Sequence, residues 1–351
     1  MQLFLLFFVG AFSGRAMDAG YYRYILLAGQ ACQLIAVFTT STCTKYYQFL
    51  LVQGLLQGLG NGLVFCPTIA HVSSYFPLEK RAIALSLFAC GGASGGMVFP
   101  AMAQNLLPKL GYPWTVRCMG FVMLATCLVV QAFSRSRPTT SKANPSWLDP
   151  TAFRDTPYLL FCVGIFLGFW GIFFAYFYVR SYGQEILGVS EETSFTLLLL
   201  INAVGIPGRV VPNYLSDRYF GALNVQIPFV FASGILLFAW IAVRQASSYY
   251  VWVAFYGFFG GGSQSLFQAA SSSFNNDPEK IGVRIGMVCT VVSFACLSGA
   301  PIAGKLLDAM DGSYLAAQIF NGVVMLIGSA FLLASKLAQK RKMKNELVQI
   351  E

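Results

Sequence analysis

The chain has 351 residues, 56% of them hydrophobic and 11% charged, with a mean hydropathy of +0.64. Soluble domains carry roughly 25% charged residues, so this composition cannot cover a water-facing surface, and a soluble enzyme is excluded. The formal net charge of +9 has no soluble basic groove to sit on, and no nucleic-acid partner is expected.

In chain order the apolar segments are 1–13, 24–44, 46–70, 82–105, 114–133, 158–180, 193–212, 225–243, 249–270, 284–303 and 313–335, eleven in all. Runs of about 20 apolar residues match helices crossing a ~30 Å hydrocarbon core and are too long for barrel strands. The expected fold is therefore an all-α polytopic membrane protein. Segment ends carry turn-forming or charged clusters, such as Met17 to Gly20, Pro77 to Arg81, Asp217 to Gly221 and Asn275 to Lys280. The pairs Tyr46/Tyr47 and Tyr249/Tyr250 stand where interfacial aromatics are expected. Residues 135–157, rich in Ser, Pro and Arg, read as a linker between an N-terminal bundle of about five helices (1–134) and a six-helix bundle (158–337). A basic tail follows (338–351).

Lys and Arg set the orientation. Sixteen of the 23 fall in one set of alternate loops, from Arg15 and Arg23 through Lys80, Arg81 and Arg154 to Lys340, Arg341, Lys342 and Lys344. Six fall in the other set, Lys45, Lys109, Arg117, Arg180, Arg244 and Lys305, and Arg209 lies within a helix. The positive-inside rule places the richer set, with the linker and the C-terminus, in the cytoplasm. The tail reads first as a topology determinant and second as a lipid-binding patch. Eleven spans then place Met1 outside, which suggests that a further span precedes it. The opening MQLFLLFFVGAFSG lacks the basic n-region of a signal peptide and reads as a transmembrane helix.

The nine cysteines, among them Cys32, Cys90, Cys127, Cys162 and Cys289, form no C-x-x-C and read as small buried side chains. Neither H-E-x-x-H nor a Walker loop occurs, so no metal site, cofactor or ATP-driven transport within this chain is expected.

The halves on either side of the linker resemble each other. Gly14, Arg15, Asp18, Gly20 and Arg23 follow the first segment, and Gly208, Arg209, Asn213, Asp217, Arg218 and Gly221 close the seventh. Gly54, Gly58, Gly60 and Gly62 in the third segment match Gly257, Gly260, Gly261 and Gly262 in the ninth. Small residues at such spacing let helix backbones approach, and the two sets fit a parallel repeat. The loop residues resemble the G-x-x-x-D-[RK]-x-G-type motif of the major facilitator superfamily, with Ala19 where a basic residue is usual and Asp217-Arg218 kept in the second copy. Tyr75-Phe76 before Lys80-Arg81-Ala82, Ser94 to Pro100, Trp114-Thr115-Val116-Arg117 and Gly208-Arg209 narrow the resemblance to fungal monocarboxylate-transporter-like permeases. It extends over about residues 10 to 335. It implies a two-bundle fold with about 11 of 12 helices, the first segment corresponding to the family's second helix. It also implies a cytoplasmic gate at Gly14, Arg15, Asp18, Gly20, Arg23, Asp217 and Arg218, and a plasma-membrane location with the vacuole as alternative.

Arg209 carries the most chemistry. It precedes Asp217 by eight residues, ~12 Å along a helix, which places it within the membrane. An Arg at such depth costs at least ~2.5 kcal/mol and usually faces a protein interior. Its guanidinium can grip a carboxylate through two parallel hydrogen bonds; the plain alternatives are a structural Arg reaching the interface or pairing with Asp217. The resemblance supports binding, since monocarboxylate transporters carry an Arg in this helix; animal members place an Asp one turn earlier, where this chain has Gly205. Asn202 shares the face of Arg209 and is either a second substrate contact or interhelical glue. His71, the sole histidine, reads as packing before proton coupling. Gln30, Gln33, Asn61, Gln264 and Gln268 either line a polar path or join helices.

The function expected is secondary active transport of a small organic anion, a monocarboxylate under the narrower resemblance. Alternatives are a fungal secondary-metabolite exporter, a vitamin-type permease, and a truncated non-transporting membrane protein or sensor. The expected partners are that solute and the bilayer.

Overall fold

The computed structural model is helical throughout the residues it describes, which are 1–16, 21–134, 149–272, 274 and 278–348, with backbone alone at 14–16, 78–79, 272, 278–282 and 345–348. The helices are α1 (Gln2–Ala16), α2 (Tyr22–Thr40), α3 (Tyr46–Phe49), α4 (Gln57–Tyr75), α5 (Leu78–Phe133), α6 (Thr156–Glu185), α7 (Glu191–Leu215), α8 (Ala222–Ile241), α9 (Ala246–Ser272), α10 (Pro278–Ala309) and α11 (Leu315–Val348). A π-helical stretch, Leu50–Leu56, joins α3 to α4 into one span. The long α5 is two spans divided at Gly111, whose φ of +70° is open to glycine and strained for other residues. Among the described residues eleven helical spans result, at the expected positions. Seven stretches are long and apolar enough to cross a membrane on length and composition; α2 and α9, which carry Gln30, Gln33, Gln264 and Gln268, are not among them.

Local chemistry explains several helix limits. Ser190 caps α7 by accepting from the Thr193 N–H, with Glu191 and Glu192 in the first turn, where carboxylates favour the helix dipole. Before α6, Asp149 accepts from the Thr151 N–H and opens the 3-10 turn Pro150–Arg154. Gly221, at φ +80°, turns the chain from the end of α7 into α8.

The chain forms two compact units. The first comprises Met1–Tyr75, Gly95–Leu148 and Asp277–Ser293; the second comprises Phe76–Ser94, Asp149–Asn276 and Phe294–Glu351. The start of α5 thus belongs with the C-terminal helices and the start of α10 with the N-terminal ones, an exchange that a boundary drawn at the linker does not contain.

In the first unit, α4 packs on α1 and α2. A Cβ at Gly62 would lie 2.5 Å from the Leu5 carbonyl oxygen, and one at Gly60 would lie 2.8 Å from that of Gly29. Ser13 Oγ donates to the Gly62 carbonyl at 2.8 Å. Amide pairs add to this, Gln33 Nε2 of α2 donating to Asn61 Oδ1 of α4 at 2.8 Å and Gln131 Nε2 of α5 to Gln30 Oε1 of α2 at 2.7 Å.

In the second unit α9 packs on α7 and α8 as α4 does on α1 and α2, while α6 and α8 pack on α11. The α7/α9 seam is again glycine: a Cβ on Gly208 would strike the Phe258 carbonyl oxygen, and one on Gly257 would lie 2.6 Å from that of Ile201. One end of this unit is an aromatic cluster in which Trp240 stacks on Trp252 at 4.3 Å and Tyr249 donates to the Val179 carbonyl at 2.8 Å. Tyr249 is fully buried there, so only Tyr46 and Tyr47 of the expected interfacial aromatics are exposed pairwise. None of the nine cysteines forms a disulfide. The expected basic tail has no break before it: α11 continues as one helix to Val348.

Candidate functional site

Arg209 sits in the second unit on α7, 6% exposed. One helical turn earlier, Gly205 has no side chain, and the guanidinium folds back into that space: Nη1 donates to the Gly205 carbonyl at 2.9 Å, and a Cβ at Gly205 would stand 2.6 Å from Nη1. From α9, the Gln264 Oε1 accepts from Nη2 at 3.4 Å. That orientation of the amide is the sensible one, because turning it over would set N–H against N–H. It leaves Gln264 Nε2 and the Tyr176 hydroxyl of α6 buried without a well-formed hydrogen bond, the hydroxyl lying close to both Arg209 and Gln264. Gly260 and Gly261 of α9 make the approach possible, since Cβ atoms there would come within 3.3 Å of Tyr176 Oη and 3.1 Å of Arg209 Nη1.

Three helices therefore bring a guanidinium, an amide N–H and a phenol O–H to one place. Among the described residues no carboxylate pairs with Arg209. Buried donors around an uncompensated cation are costly unless an anion arrives. A turn further along α7, Asn213 Nδ2 donates to the Arg209 carbonyl and to Ser265 Oγ, both at 2.7 Å, which fixes α7 against α9 beneath the site.

Of the other residues expected to act, Asn202 does not join this group. Its Nδ2 donates to the Leu198 carbonyl of its own helix at 3.0 Å, because a short amide in a helix readily bonds back one turn. Asp217 pairs with neither Arg209 nor Arg218. Its Oδ2 accepts from the Ile83 N–H of α5 at 3.0 Å, and Arg218 stands 5.9 Å from the Tyr219 ring. The expected meeting of carboxylate and basic side chains in this loop is thus replaced by a carboxylate on a helix N-terminus. Arg23 is exposed on α2, whereas Asp18, Gly20 and the side chain of Arg15 lie outside the described residues, and Gly14 is described in its backbone alone. His71 stacks on Tyr22 with centroids 4.0 Å apart and meets Tyr75 edge-on, a packing arrangement. Tyr176 was not singled out by sequence, since a tyrosine amid the phenylalanines of α6 carries no signal of its own.

The sequence profile of the Major Facilitator Superfamily matches residues 1–300. The chain belongs to the major facilitator superfamily. It is a multi-pass membrane protein of a transporter family, not an enzyme. A Gibberella zeae MFS-type transporter is 41% identical over 96% of this chain and 76% of its own length. The aspyridones efflux protein apdF of Emericella nidulans is 34% identical over 96% and 68%, and the agnestins efflux protein AgnL12 of Paecilomyces divaricatus is 31% identical over 97% and 77%. In fold, the human organic anion transporter MFSD10 (TETRAN) superposes with a TM-score of 0.73 at 15% identity, covering 94% of this chain and 82% of that one. The outward conformation of FucP superposes with a TM-score of 0.69, covering 95% and 88%.

Proposed function

We propose that this major facilitator protein exports an acidic fungal secondary metabolite across the plasma membrane, with Arg209, Gln264 and Tyr176 holding the anionic group. The observation that carries the reading is the cluster of buried donors around a cation with no acid among the described residues. Efflux, rather than uptake, is supported by two relatives above 30% identity that are named efflux proteins. The narrower reading, uptake of a simple monocarboxylate, draws on the same arginine and on the motif resemblance, and the relatives favour it less. Bound substrate would take Arg209 in parallel bonds, with Gln264 Nε2 and Tyr176 Oη supplying two more.

The test is release of a preloaded fluorescent aromatic carboxylate from cells displaying equal surface amounts of each variant, beside uptake of labelled lactate and pyruvate. Arg209→Ala is expected to reduce export at least tenfold with normal membrane insertion, since removing a charge-assisted bond costs about 1.5–3 kcal/mol. Arg209→Lys should recover only part, because an ammonium lacks the planar fork. Wild-type export by Arg209→Ala would reduce the residue to a strut between α7 and α9. Lactate uptake without export would favour the monocarboxylate reading.

A further inference from the structure

We infer that the end of α11 is a binding site for anionic phospholipid headgroups in the leaflet where it emerges. The helix runs 34 residues from Leu315, about 51 Å at 1.5 Å per residue, against a hydrocarbon core of about 30 Å. About 14 residues therefore continue past the core through the headgroup layer, and these are the residues that carry Lys336, Lys340, Arg341, Lys342 and Lys344.

A topology signal needs charge only; here the charges are also arranged. At 100° per residue, Lys336, Lys340, Lys344 and Arg341 share an arc of about 140° on one face of α11 with Leu337, and Met343 extends it to about 160°. Leu337 and Met343 are 51% and 53% exposed, and Lys340, Arg341 and Lys344 are exposed. The opposite face is committed to protein: Ser335 Oγ donates to the Pro157 carbonyl at 2.6 Å, and Lys342 Nζ pairs with Asp155 Oδ1 at 3.0 Å. Among the described residues no carboxylate pairs with Lys336, Lys340, Arg341 or Lys344. Beside the Asp155 pair, the turn before α6 exposes Phe153 and Arg154, a second apolar and basic couple at the same level.

Basic side chains interleaved with exposed apolar ones suit a surface that is anionic at the phosphate and oily just beneath it, where long side chains keep their heads at the headgroups. A soluble polyanion would use the charges and leave Leu337 and Met343 in water, so the lipid surface is the better occupant. Charge complementarity within a Debye length supplies the attraction.

The test uses the full chain in nanodiscs of phosphatidylcholine with or without 30% phosphatidylserine, reading retained lipid by native mass spectrometry after release and dissociation from labelled phosphatidylserine in mild detergent. Wild type is expected to retain phosphatidylserine over phosphatidylcholine, and K336Q/K340Q/R341Q/K344Q to weaken that binding about tenfold or more. K342Q, which loses only the Asp155 pair, should keep it. L337Q/M343Q keeps the charge and should also bind phosphatidylserine less well. Should the quadruple variant fail to assemble, the L337Q/M343Q and K342Q comparison decides alone. Equal retention of the two lipids by wild type, or no loss in L337Q/M343Q, overturns the proposal; displacement by soluble inositol hexakisphosphate with no lipid preference would assign the charges to a soluble anion instead.

Discussion

The cation at Arg209 rests on the carbonyl of Gly205 only because position 205 has no side chain. Gly205→Ala puts a methyl group where Nη1 lies, and the flexible guanidinium rather than the backbone gives way. Substrate affinity is expected to fall several-fold with the thermal midpoint nearly unchanged, which a scintillation-proximity binding assay beside a melting curve in detergent would resolve. Tyr176→Phe removes one donor beside Arg209 and keeps the ring, so it should weaken acidic substrates while leaving stability nearly unchanged, a poorly paired buried hydroxyl contributing little. A fall in stability without a change in affinity would count against the role given to the hydroxyl.

At the scale of elements, the Asp217 carboxylate is the feature to test. It accepts from the Ile83 N–H near the start of α5, where negative charge meets the positive end of a helix. We expect Asp217→Ala to lower stability by about 1 kcal/mol and to change the transport rate, whereas Arg218→Ala, which removes a side chain lying over Tyr219, should do little to either. Matched changes for both substitutions would mean that the loop acts through its charge balance. The helices themselves were legible in sequence, because a 20-residue apolar run has few alternatives in lipid. The glycine seams were legible too, since Gly58 and Gly62, like Gly257 and Gly261, recur four residues apart on one helix face. What could not be read were contacts made across long sequence separations. Asn202 shares a face with Arg209 yet bonds within its own helix, Tyr249 turns inward from a position that resembles an interfacial anchor, and Tyr176 acquires meaning only when α6 meets α7 and α9.

For the whole molecule, the distribution of Lys and Arg predicts that the end of α11 lies in the cytoplasm. An epitope fused after Glu351 should be reached by antibody only after the cells are permeabilised; labelling of intact cells would invert every loop assignment. The repeat is visible in the packing of α1, α2 and α4 against that of α7, α8 and α9. The exchange of helix starts between the units, by contrast, depends on contacts across long sequence separations, which the apolar pattern does not encode.

The exchange has a mechanical consequence. α5 leaves one unit and enters the other between Ser94 and Gly95, inside the run Gly91-Gly92-Ala93-Ser94-Gly95-Gly96. Unlike the glycines of the seams, Gly91 and Gly92 have open space where a Cβ would be, so packing does not demand them. Each nevertheless costs the helix about 1 kcal/mol relative to alanine. A span weakened at adjacent glycines is a flexure: bending of this part of α5 concentrates in these few residues. Gly91→Ala with Gly92→Ala should therefore raise the melting temperature while slowing turnover, with substrate affinity kept. A stiffer helix that transports at the original rate would show that bending at Gly91 and Gly92 plays no part in turnover.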